Sequence, residues 1–169
     1  MRLSVLVAIA ATTTFACSPS SSSTPTASPT PSSAATVLSG GCGSTQILKS
    51  GAPPWVHKLA GTSTYVDAVP YVLAAPPTVA GLLYGYPLRA GHPTDRNNKI
   101  LWLVNLGPRA GALNITAHLI GATAPAVSAG AAFIPSGDAP SIIDMPEPGC
   151  WEFDLSWSGH QATVDITYQ

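Results

Sequence analysis

Residues 150–168 constrain the fold more than any other stretch of this chain. In CWEFDLSW (Cys150–Trp157), Trp151, Phe153, Leu155 and Trp157 fall on one side of an extended backbone, while Glu152, Asp154 and Ser156 fall on the other. ATVDITY (Ala162–Tyr168) repeats the pattern, with Val164, Ile166 and Tyr168 opposed to Thr163, Asp165 and Thr167. Successive side chains of a strand point to opposite faces of the sheet, so a period of two marks a strand with one buried face. Ser158, Gly159, His160 and Gln161 between the two runs predict a hairpin loop. An antiparallel ribbon with an aromatic face needs a second layer to cover it.

The upstream sequence supplies that layer. KILWLVN (Lys99–Asn105) is apolar on both faces and predicts a central strand. LNITAHLI (Leu113–Ile120) alternates, with Leu113, Ile115, Ala117 and Leu119 inward and Asn114, Thr116 and His118 outward. The turn residues of GPRAGA (Gly107–Ala112) predict a second hairpin between these two strands. Thr64–Leu73 and Val79–Pro87 read as strands interrupted by glycine and proline. No window carries a 3.6-residue apolar repeat long enough for a capped helix. With 17 prolines and 15 glycines in 169 residues, turns come at close intervals. The fold class predicted is all-β: an antiparallel β-sandwich over residues 40–169, immunoglobulin-like in architecture alone.

The N-terminus reads as an address. Leu3–Ala16 are apolar or small apart from Ser4 and three threonines, and follow a single positive charge at Arg2. The run is shorter than the roughly 20 residues that cross a bilayer as a helix, so residues 1–16 predict a signal peptide rather than a permanent span. Ala16 before Cys17 suits a cleavage that leaves Cys17 as a lipid-attachment residue; ordinary secretion with cleavage elsewhere is the alternative. Residues 17–39 hold Pro19, Pro25, Pro29 and Pro31 but no charged or aromatic residue. Such a stretch cannot bury enough apolar surface to offset about 1–2 kcal/mol of backbone entropy per residue, and it predicts a disordered stalk.

With Cys17 assigned to a lipid, Cys42 and Cys150 remain as one pair, and an oxidising compartment would join them in a disulfide. Neither is accompanied by C-x-x-C or H-x-x-x-H spacing, so no metal is expected there. GAPPW (Gly51–Trp55), PLRAGHP (Pro87–Pro93), NKILW (Asn98–Trp102), PEPGCW (Pro146–Trp151) and the closing WSGHQATVDITY (Trp157–Tyr168) together resemble a group of uncharacterised bacterial envelope lipoproteins with a small immunoglobulin-like β domain. The resemblance covers most of residues 48–168. Residues 1–17 are similar to a lipoprotein signal, with Thr14 where leucine is usual. What this implies is a small exported domain, with no functional residue carried over.

Charged residues make up 9% of the chain and the net charge is −1, which argues against a nucleic-acid partner. Arg89, Arg96, Lys99 and Arg109 cluster ahead of Asp138, Asp144, Glu147, Glu152, Asp154 and Asp165, predicting cross-strand ion pairs between the two groups. The densest polar patch is the loop AGHPTDRNNK, where His92, Asp95, Arg96, Asn98 and Lys99 are the candidate binding residues. Its arginine and lysine suit carboxylate or phosphate oxygens. A solvated loop paired within itself is the plainer reading. Trp55, Tyr71, Tyr84 and Tyr86 are candidates either for a sugar or peptide groove or for core packing.

His57, His92, His118 and His160 include no two at i, i+2 or i, i+4, so no metal site is expected from spacing. There is no G-x-S-x-G elbow and no phosphate-cradling glycine loop, and Glu152 and Asp154 point outward from one strand rather than into a cleft. Neither catalysis nor a cofactor is expected. The reading that results is a membrane-tethered extracytoplasmic binding or interaction module for an envelope protein or glycan. Its alternatives are an enzyme of envelope polymers, which needs His92, Asp95 and Lys99 in one cleft, and a metal-handling protein.

Overall fold

A computed structural model describes residues 34–61, 63–122, 126–135 and 137–169. The expected signal peptide, Cys17 and the stalk up to residue 33 lie outside them. In chain order the described residues form β1 (Thr36–Cys42), β2 (Thr45–Lys49), α1 (Pro54–Ala60), α2 (Ser63–Ala68), β3 (Tyr71–Leu73), β4 (Val79–Leu83), β5 (Lys99–Val104), β6 (Ala112–Leu119), β7 (Val127–Ala132), β8 (Asp138–Ile142), β9 (Gly149–Trp157) and β10 (His160–Tyr168). The strands make two antiparallel sheets, one ordered β1-β2-β3-β4-β5-β8 and the other β10-β9-β6-β7. The described residues form an all-β sandwich with two short helices.

The C-terminal hairpin forms as its alternation predicts, in register from Trp157↔His160 to Gly149↔Tyr168. Ser158 and Gly159 close it, both with positive φ (45° and 82°), the backbone that matches the right-handed twist of the strands. Trp151, Phe153, Leu155, Trp157, Val164, Ile166 and Tyr168 are all buried. They meet the facing sheet at Trp102, whose ring lies 6.2 Å from Phe153, with Tyr168 stacked 6.3 Å beyond. Large buried rings contribute much of the area removed from water, and their polar atoms must still find partners. Trp102 Nε1 donates to Ser141 Oγ (3.0 Å), Trp151 Nε1 to Glu147 O (3.2 Å), Trp157 Nε1 to Leu106 O (2.7 Å) and Tyr168 Oη to Ile143 O (2.8 Å).

β5 is the central strand expected, and its two apolar faces have separate uses. Ile100, Trp102 and Val104 enter the core between the sheets, whereas Leu101 and Leu103 face a second cluster with Val56, Val66, Tyr71 and Leu82. That second cluster lies under α1 and α2, so the molecule has a helical cap that the sequence reading omits. α1 starts at a proline in its first turn and stops at Gly61 in the left-handed conformation. Both helices are too short for a 3.6-residue repeat to register. The single strand that alternation predicts over residues 64–73 is corrected: α2 takes the first part, because alternation in Tyr65, Val66 and Asp67 fits a single helical turn equally well. The strand that follows Pro70 is confined to Tyr71–Leu73.

Two further expectations are corrected. β5 and β6 do not form a hairpin: β5 pairs with β4 and β8, and β6 pairs with β7 and β9. The GPRAGA turn carries the chain from one sheet to the other, tied to the β9–β10 turn by Trp157 Nε1 on Leu106 O and Ser158 Oγ on Pro108 O. Turn residues reverse the chain without specifying which sheet receives the next strand. The immunoglobulin comparison extends to the two-layer architecture only, since five consecutive strands meander in one sheet instead of dividing as ABED and CFG.

The expectation of a disordered stalk as far as Ser39 is corrected at residues 36–39, which belong to a strand paired with β2. Cys42 and Cys150 form the expected disulfide, Cα atoms 5.8 Å apart, joining β1 of one sheet to β9 of the other. The turn after Cys42 then laps onto β10. Asp165 accepts hydrogen bonds from Ser44 N (2.7 Å) and Ser44 Oγ (3.0 Å), and its own N–H donates to Thr45 Oγ1 (2.9 Å). Gly43 adopts φ 53°, and a Cβ there would strike the Asp165 carboxylate. Asp165, on the polar side of its strand, is therefore buried. The disulfide marks an oxidising, extracytoplasmic environment. Among the described residues no helix is long and apolar enough to cross a membrane.

The disulfide closes a separation of 108 residues. Replacing Cys42 and Cys150 together by alanine is expected to lower unfolding free energy by up to about 4–5 kcal/mol, measured by chemical denaturation. Burial, with Asp144 second, raises the pKa of Tyr168 well above the ordinary tyrosine value. The unfolded chain releases that proton near pH 10 and the folded chain retains it, so stability falls as pH rises beyond about 10, by up to about 1.4 kcal/mol per pH unit. Tyr168→Phe is expected to remove this share of the decline in denaturation series on either side of about pH 10.

Candidate functional site

The loop between β4 and β5 is held by Asn98, which is fully buried. Its Oδ1 accepts from Arg89 N (2.9 Å) and its Nδ2 donates to Arg89 O (2.7 Å), so one side-chain amide exchanges the same two bonds that a neighbouring strand would. Nδ2 also donates to Asp144 Oδ1 (2.7 Å), and the other oxygen of Asp144 meets His92 Nδ1 at 3.1 Å. Gly91 N on Met145 O (2.9 Å) completes the attachment to the segment after β8. Gly91 and His92 both have positive φ (77° and 55°), which turns the chain sharply enough for His92 to reach Asp144.

The five candidate residues thus separate. Asn98 is buried and positions the loop; His92, although it meets Asp144, stays at the surface with Asp95, Arg96 and Lys99. Asp95 pairs within the loop, with Arg89 at 3.2 Å and Arg96 at 3.7 Å. Exposed pairs of this kind contribute little to stability. Asp95, Arg96 and Lys99 line a shallow, open groove of about 450 Å³ with Tyr84, Gly85, Tyr86 and Asn97. A second open groove of about 460 Å³ continues from Asn97 and Lys99 to Pro140, Ser141 and Ile142.

These grooves lie where the six-stranded sheet extends beyond its helical cap. Lys99 and Ile142 face each other across the β5–β8 pair, and the Lys99 ammonium stands over the Tyr84 ring, 5.3 Å from its centroid. Tyr84 is 44% exposed and Ile142 58%, high values for side chains of this size. The Tyr84 hydroxyl is raised in pKa by partial burial first, then by the charges of Asp138 and Tyr65. An aromatic ring, a branched aliphatic, a proline and an ammonium thus share one solvent-facing surface.

Of the four aromatic candidates, Tyr84 alone lies open. Tyr71 is buried with its hydroxyl on Ser50 O, Trp55 packs against the core under the helices, and Tyr86 donates to Ser39 O. Pro140 and Ile142 are members the sequence reading did not name, and Asp144 was named there only among the acids expected to pair with the basic cluster. A proline inside a short apolar run was the available signal, because proline is tolerated on edge strands, and β8 is an edge.

The predicted pairing of basic cluster with C-terminal acids does not occur. Among the described residues Arg89 and Arg96 pair with Asp95, and the acids of the last third that form ion pairs do so with histidines. Nor do the histidines converge. His57 lies 3.8 Å from Asp67, His92 meets Asp144, His118 lies between Glu152 (3.0 Å) and Asp154 (3.7 Å), and His160 packs on the Trp157 ring.

Comparisons of the chain with protein-family models, with curated proteins and with solved structures return no match.

Asn98→Ala is expected to cost on the order of 1–3 kcal/mol, because it leaves Arg89 backbone groups and Asp144 without their partner. Arg96→Ala, at the surface of the same loop, is expected to stay within about 0.5 kcal/mol. Parallel denaturation curves separate the two roles.

Proposed function

We propose that this chain is a membrane-tethered extracytoplasmic binding module, carried on a lipid at Cys17 and a Ser/Pro/Thr-rich stalk, which presents the Tyr84–Lys99–Ile142 surface to an envelope protein or glycan. The observation that carries the reading is the uncapped end of the six-stranded sheet, where Tyr84, Pro140 and Ile142 lie open beside Lys99, Arg96 and Asp95. An apolar and aromatic centre with charged groups at its rim is the composition of recognition surfaces. Ring faces stack on sugars or on extended peptide, and the guanidinium and ammonium groups offer donors to carboxylate or hydroxyl oxygens.

The form of the surface favours binding over catalysis. Both grooves are shallow and wide open, a shape that accepts one side of a chain rather than enclosing a small molecule. The catalytic alternative needs His92, Asp95 and Lys99 in one cleft. Asp95 and Lys99 share a groove, but His92 is turned to Asp144 and does not line it.

The test is capture of fractionated envelope glycan and of envelope protein by the immobilised full chain, beside a Tyr84→Ala/Lys99→Ala variant of unchanged melting temperature. Loss of two central contacts is expected to weaken capture by about 2 kcal/mol, or roughly thirtyfold. Equal capture by both proteins removes this surface from the reading.

A further inference from the structure

On the opposite face of the sandwich, β6 and β9 bring together three side chains with the chemistry of a metal site. His118 stands directly opposite Glu152 in the β6–β9 register, and Asp154 follows two residues along β9. Alternation places all three on the outer side, while Trp151, Phe153 and Leu155 lock β9 into the core from the inner side. One imidazole nitrogen and one oxygen from each carboxylate lie within 4.8 Å of one another. His118 Nε2 is 3.0 Å from Glu152 Oε1, and Nδ1 is 3.7 Å from Asp154 Oδ2.

We propose that His118, Glu152 and Asp154 bind a divalent first-row transition ion of the zinc or copper type. A tetrahedral ion with bonds of about 2.0–2.2 Å needs ligand atoms roughly 3.3–3.6 Å apart; the two carboxylates meet opposite ring nitrogens of His118, so a single ion would take one nitrogen and draw both carboxylates, which lie within 4.8 Å, onto it. Three protein ligands leave a fourth position for water, as in open zinc sites. The imidazole selects zinc and copper over calcium and magnesium, which take oxygen alone. The local charge also calls for a cation. Among the described residues neither Glu152 nor Asp154 has a lysine or arginine within 4 Å, and Asp165, the β10 neighbour of Glu152, adds a third carboxylate. Asp165 is occupied by Ser44 and is not a ligand. This site shares no residue with the surface proposed above, so each stands or fails separately.

The probe is zinc chloride titrated into the full chain with its disulfide intact, followed by calorimetry and by the melting temperature. Saturable uptake of a single equivalent is expected, weakening as pH falls because the imidazole must be neutral to bind. His118→Ala, and separately Glu152→Gln with Asp154→Asn, are expected to weaken it by at least about tenfold, the scale lost when even a ligand's hydrogen-bond partner is removed. Zinc is expected to raise the melting temperature of the parent chain but not of these variants. His92→Ala, which removes the histidine paired with Asp144, is expected to leave binding unchanged. The proposal is overturned if the parent chain takes up no zinc saturably, or if His118→Ala, still folded, takes it up equally well. In that event His118 serves only as a polar partner of the two carboxylates.

Discussion

The contact between Trp102 and Phe153, continued by Tyr168, is the one on which the remaining structure depends. Trp102 belongs to the six-stranded sheet, and Phe153 and Tyr168 belong to the facing one, so this column of rings sets how the layers meet. Each large ring also carries a polar atom that must be satisfied inside the protein. Trp102 reaches Ser141 on β8, Trp157 reaches Leu106 in the crossover, Trp151 reaches Glu147, and Tyr168 reaches Ile143. Hydrophobic burial and hydrogen-bond satisfaction therefore fasten the same connecting segments.

The consequences extend to the surface. Tyr168 fixes Ile143, the next residue is Asp144, and Asp144 holds both Asn98 and His92. Asn98 in turn replaces a missing strand beside Arg89. A loop that would otherwise lose its order to conformational entropy is anchored at both ends, with Asp95, Arg96, Asn97 and Lys99 at the open groove. The disulfide and the Ser44–Asp165 contact perform the corresponding task at the other edge, fastening β1 and its turn to β9 and β10.

The two outer faces of the sandwich differ in kind. The six-stranded sheet is covered by α1 and α2 over part of its area and exposes a mixed aromatic and cationic patch over the rest. The four-stranded sheet is polar on its outer side, covered at β10 by the turn after Cys42 and open at His118, which is set among carboxylates. A charge-poor chain gains local electrostatic character in this way, by sorting its few ionisable groups onto separate faces rather than pairing basic with acidic clusters across the molecule.

The strand pattern of residues 150–168, the central position of Lys99–Val104, the outward direction of His118, Glu152 and Asp154, and the pairing of Cys42 with Cys150 were all legible in the sequence. Each follows from local alternation or from counting cysteines, and neither requires knowledge of distant neighbours. The helical cap was not legible, because helices of six and seven residues give no periodicity distinct from alternation. The passage of the chain from β5 to a different sheet, the use of Asn98 as a structural amide and of Asp144 as its anchor, and the meeting of His118 with Glu152 and Asp154 were decided by tertiary structure. Those outcomes rest on register and layer packing, which depend on the free energy of burying the whole apolar set at once and cannot be assigned to any one segment of the chain.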